Sequence, residues 1–139
     1  MSAENERWIA ATAAALCTAS RWLSAASLVL VGGALALLSM RASGVPALGA
    51  QAAVIALGAV QVYLAIRIEF DRAVFARAAA SPAGFAGFDE ALASLGWARG
   101  TPGTRTPESR TSGLHALVRR SAWLLCAQFT LVLASLWLP

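Results

Sequence analysis

Charged residues are spaced so that three long stretches of the chain contain none. Trp22 to Met40 is an uncharged run of 19 residues between Arg21 and Arg41; Ala42 to Ile66 is one of 25, closed by Arg67. Ser121 to Pro139 is a third, of 19 residues, behind Arg119 and Arg120. A helix rising ~1.5 Å per residue crosses the ~30 Å hydrocarbon core of a bilayer in about 20 residues. Each run meets that length. A soluble helix would show a polar stripe at period 3.6, and the stretch from Ser27 to Leu38 shows none. The pattern predicts an all-α membrane protein with three transmembrane helices: 22–40, 47–66 and 121–138, with a turn over 41–46 between the first two.

A fourth uncharged window, Trp8 to Ser20, has only 13 residues and is mostly alanine. It is too short to span. It predicts an N-terminal interfacial helix within 1–21, lying in the membrane surface or running on into the first span. Trp8, Ala15, Leu16, Ala19 and Trp22 fall on one broad side of it. The leader Met1-Ser-Ala-Glu-Asn-Glu-Arg7 is acidic and the apolar stretch is long, unlike a cleaved secretory signal, so the first span reads as retained.

Between the second and third spans lies the one segment with room for a soluble feature. Nothing breaks a helix after Ile66, so the second span is expected to continue outward, with Phe70, Val74 and Ala78 as an apolar stripe and Arg67 and Asp71 one turn apart. Ser81-Pro82 stops that helix and resembles the cap and first position of another. Phe85, Phe88, Leu92 and Leu95 repeat at helical spacing with Gly96 as a stop, making 67–98 an amphipathic helical segment. Residues 99–113, rich in Gly, Pro, Ser and Thr, read as a flexible linker. Residues 114–120 are the helical entry to the third span.

Charge changes the picture by giving it a direction. The chain of 139 residues is 58% hydrophobic and 13% charged, against roughly a quarter charged in ordinary soluble domains. All 11 cations are arginine, and eight of them lie between Arg67 and Arg120. Two precede the first span, one lies in the 41–46 turn and none follows the third span. Positive residues accumulate on the cytoplasmic side. The expected arrangement is therefore a bacterial-type inner membrane, with the N-terminus and 67–120 cytoplasmic and the C-terminus external. Trp22, Tyr63 and Trp123 then mark the cytoplasmic interface, and Trp137 the outer one. A net charge of +4 invites a nucleic-acid partner, but arginines that flank spans are already explained by topology and anionic headgroups, so no nucleic acid is expected.

Equipment for catalysis is sparse. Cys17 and Cys126 make no metal-ligand pair by spacing and read as small buried residues. His115 is the single histidine. Glu69/Asp71 and Asp89/Glu90 read as solvated helix faces. No catalytic, cofactor or metal site is expected, and the chain does not read as an enzyme.

The spans carry no ionisable residue, which argues against a coupled transporter. They do carry Gln51, Gln61 and Gln128, whose amides can hydrogen-bond between helices or line a path. Gly32/Ala36, Gly49/Ala53 and Ala52/Ala56 are small pairs that suit close helix packing. The leading expectation is a small multi-pass accessory or scaffold subunit. It would act through helix–helix contacts and a cytoplasmic docking surface of Phe70, Val74, Phe85, Phe88, Leu92 and Leu95, with a membrane-protein partner or further copies of itself. The alternative is a small oligomeric channel or transporter with the span-two glutamines lining its path.

Overall fold

The structure is a computed structural model, described over residues 3–40, 44–81, 84–96 and 107–137. Those residues form five helices: α1 (Ala3–Ala19), α2 (Arg21–Met40), α3 (Val45–Ala80), α4 (Ala86–Ser94) and α5 (Pro107–Trp137), and no strand occurs among them. Three helical stretches are long and apolar enough to cross a membrane: Glu4–Met40, Val45–Ala80 and Thr111–Trp137.

α1 and α2 are separated only at Ser20, whose carbonyl accepts from Leu23 N–H at 3.0 Å and from Ser24 N–H at 3.4 Å. α3 is a single helix of 36 residues, about 54 Å at the α-helical rise, so the second span continues past Ile66 as its sequence suggests. Its first residues are Val45 and Pro46, which shortens the turn anticipated over 41–46. Proline is tolerated there because the first-turn N–H groups have no intrahelical acceptor.

Two other boundaries differ from expectation. α3 does end at Ala80, directly before Ser81, but α4 starts only at Ala86; Pro82 lies outside the described residues. Gly84 N–H bonds back to the Ser81 carbonyl at 3.1 Å, and Gly84 has φ +55°. That left-handed backbone makes a turn and delays the next helix. Gly96, with φ +68°, ends α4 as anticipated; its N–H reaches the Ala93 carbonyl at 3.0 Å. The linker anticipated over 99–113 is helical from Pro107 onward. Proline fixes a helical φ at a first position, and with no breaker after it but Gly113 the turn joins α5. Residues 99–106 lie outside the described residues.

The chain divides into two compact units, Met1–Ala19 with Ile68–Leu117, and Ser20–Arg67 with Val118–Pro139. By sequence, the first holds 13 of the 18 charged residues and all seven acids; the second holds five arginines and no acid. We call them the charged unit and the apolar unit. In the charged unit the buried side chains are Ala10, Ala13, Cys17, Ile68, Phe75, Ala78, Phe85 and Leu114. The buried stripe of α1 is thus Ala10, Ala13 and Cys17, while Trp8 is 67% exposed: the alanine side turns inward and the tryptophan outward. In the apolar unit the order is reversed. Its interior holds Ser20, Ser27, Gln51, Gln61, Ser121, Gln128 and Ser135 beside Ala34, Ala47, Val54 and Leu64, while 16 large apolar residues, among them Leu28, Val29, Leu35, Val60, Phe129 and Leu133, are exposed.

Candidate functional site

Buried positions of the apolar unit recur every seven residues along each helix, with Leu64 of α3 outside the repeat. α2 buries Ser27 and Ala34, seven apart and in register with Ser20; α5 buries Ser121, Gln128 and Ser135; α3 buries Ala47, Val54 and Gln61, with Gln51 and Gly58 between them. A seven-residue repeat keeps one seam of each helix facing its neighbours when the helices wind left-handedly. Small residues on that seam let backbones approach, as membrane helices require.

Gln128 is the centre of this seam and is fully buried. The Ser27 hydroxyl donates to Gln128 Oε1 at 2.7 Å, and Gln128 Nε2 donates to the Val54 carbonyl at 3.1 Å. One side chain of α5 therefore engages a side chain of α2 and the backbone of α3. Gly58 makes this possible. It lies one turn beyond Val54, where the Val54 carbonyl points, and a β-carbon there would run into the Val31 side chain and come within 3.4 Å of Gln128 Nε2. A second crosslink joins α3 to α5, with Gln61 Nε2 donating to the Ser121 hydroxyl. Ser135 satisfies its hydroxyl within α5, on the Val132 carbonyl at 2.7 Å. The amide oxygens of Gln51 and Gln61 are buried with no hydrogen-bond partner among the described residues.

All three glutamines singled out by sequence are thus buried, to 2%, 1% and 0% exposure for Gln51, Gln61 and Gln128, and two of them crosslink helices. The small pairs fare differently. Gly32 and Gly49 have open space where a β-carbon would sit, so neither is a close-approach position within the chain. Gly58 is, and the sequence reading did not single it out; its signal was a place in the repeat Gln51, Val54, Gly58, Gln61. Of the cysteines, Cys17 is buried as expected, whereas Cys126 is exposed. It lies on the outward side of α5, two residues from the Gln128 seam.

The six residues expected to form a docking surface are divided by the fold of the charged unit. Phe85 is buried, with its ring edge-on to Phe75 at a centroid distance of 5.5 Å. Phe70 and Leu95 are exposed, at 58% and 63%, while Val74, Phe88 and Leu92 are half-buried. The inward stripe of α3 in this unit is Ile68, Phe75 and Ala78 rather than Phe70, Val74 and Ala78. Phe85 is therefore withdrawn from the surface, and Phe70 is exposed on it. Arg72 pairs with Glu69 at 2.6 Å on the same helix.

Amides and hydroxyls carry no charge and do not titrate near neutral pH, so the polar seam can bond and specify but offers no acid or base. No group of three His, Cys, Asp or Glu side chains that could hold a metal occurs among the described residues. No protein-family model matches the chain, and neither a curated protein nor a solved structure matches it.

Proposed function

We propose that this protein is a small three-span accessory or scaffold subunit of a bacterial-type inner membrane, acting through helix–helix and cytoplasmic protein–protein contacts. In this reading the N-terminus, with α1 at the interface, and the charged unit are cytoplasmic, and the C-terminus is external, as the arginine distribution favours. The observation that carries the reading is the fate of the intramembrane polar groups. Gln128, Ser27, Gln61 and Ser121 bond to one another or to backbone within the chain, which suits a framework better than a translocation path. What the charged unit leaves outward, Phe70 and Leu95, is then the surface offered to a partner. The channel reading would need Gln51 and Gln61 to face a path, and their burial supports it less.

The test is site-specific photocrosslinking in the native membrane from positions 70 and 95, with position 85 as an internal control. The reading expects a discrete protein adduct from 70 and 95 and none from 85. Adducts to lipid alone from all three positions contradict it. Flux through vesicles containing the purified protein, lost on joint substitution of Gln51 and Gln61 by leucine, would favour the channel instead.

A further inference from the structure

Hydrogen bonds fix the heights of the three helices of the apolar unit relative to one another. The Gln61–Ser121 and Val54–Gln128 contacts set α3 antiparallel to α5, and the short turn between α2 and α3 makes α2 run with α5. Ser27 is level with Gln128 through their hydrogen bond. With ~1.5 Å of rise per residue, six residues come within about 3 Å of the plane of Gln61 and Ser121: Arg21 and Trp22 from α2, Tyr63 from α3, and Arg119, Arg120 and Trp123 from α5. All six are exposed, Trp22 to 80%, Tyr63 to 63% and Trp123 to 71%. The described residues at the opposite end of the unit, around Met40, Val45 and Trp137, include no charge.

We propose that this collar of three arginines and three aromatic rings binds the headgroups of anionic phospholipids in one leaflet. The aromatic rings sit where the apolar belt meets the interface, as amphipathic rings prefer. The arginines beside them can meet a phosphodiester and an anionic headgroup with planar, multiply donating guanidinium groups. By sequence the unit contains no acid, and Arg119 and Arg120 make no ion pair among the described residues. The occupant is a leaflet lipid rather than a soluble anion, because the residues of α3 level with the collar, Val60 and Val62, are apolar and outward.

The test uses the full chain with Trp8, Trp97 and Trp137 replaced by phenylalanine, so that fluorescence reports only Trp22 and Trp123. In vesicles, quenching by brominated phosphatidylglycerol against brominated phosphatidylcholine gives the relative affinity for the two lipids. A preference of at least fivefold for phosphatidylglycerol is expected, since one basic residue near an anionic surface contributes about a factor of five. Substituting Arg21, Arg119 and Arg120 together by glutamine should bring the ratio close to one, and the corresponding lysine triple should keep most of it. Each single glutamine variant should lower the ratio by up to fivefold, which keeps the test open if the triple does not reconstitute. Arg72→Gln and Arg77→Gln, in the charged unit, should leave it unchanged. Equal quenching in the parent protein, a glutamine series that keeps the preference, or loss of preference on adding inorganic phosphate at matched ionic strength would each overturn the proposal.

Discussion

The two units of this chain solve the same packing problem with opposite chemistry. The charged unit buries Ile68, Phe75, Phe85 and Leu114 and turns carboxylates and guanidinium groups outward, the arrangement that burial of apolar surface from water enforces. The apolar unit buries serines, glutamines and a glycine among a few apolar side chains, Val54 and Leu64 the largest, and turns most of its leucine, valine and tryptophan outward. In lipid, apolar side chains gain nothing by leaving their surroundings, so close packing and interhelical hydrogen bonds must hold helices together. The boundary between the two regimes falls within α3 and within α5, so one continuous helix obeys one rule along part of its length and the other beyond it. What a position buries therefore identifies the solvent that position was built for.

This contrast can be broken by substitution. The largest effect is expected from Phe75→Ala, which removes a ring from an apolar core and should cost about 3–5 kcal/mol. Hydrogen exchange in α4 should register it as early local opening, because Phe85 loses its ring partner. Next comes a charge on the outward face. Val29→Arg places a guanidinium near mid-span in lipid and should cost about 2.5–3.5 kcal/mol of insertion, read as loss of the membrane-integrated fraction. Leu95→Arg, equally exposed but in the charged unit, should change it little. Equal tolerance at both sites would erase the distinction between the units. A third pair sharpens the inward side. Gly58→Leu forces a side chain against Val31 and Gln128 and should cost about 1–3 kcal/mol, measured by denaturation in mixed micelles. Gly33→Leu meets only open space and should be near neutral.

Much of this was legible from the pattern of charges and much was not, for physical reasons that differ by residue. The three spans were legible because charge is excluded from hydrocarbon, and the unbroken passage of α3 beyond Ile66 because no breaker stands there. The glutamines were legible as polar residues in apolar runs. The repeat that joins them was hidden. Its members are serine, alanine and glycine as often as glutamine, and 33 alanines dilute any stripe of small residues. Gly58 was missed for the same reason, while Gly32 and Gly49 drew notice without having an intrachain neighbour. The phase of α3 in the charged unit was ambiguous from periodicity because Ile68, Phe70, Val74 and Phe75 put apolar residues on both sides. Only the position of Phe85, set by the Gly84 turn, selects Phe75 as the inward ring.

Polar contacts across its seam hold the apolar unit together, with Gln128 as the keystone. A double-mutant cycle between Ser27 and Gln128 tests that role most directly, using Ser27→Ala, Gln128→Leu and the two together, unfolded reversibly in lipid-like micelles. Each single change should destabilise, with a coupling of about 0.6–1.7 kcal/mol, the range found for hydrogen bonds between membrane helices. Additive effects with no coupling, or a Gln128→Leu protein as stable as the parent, would contradict it.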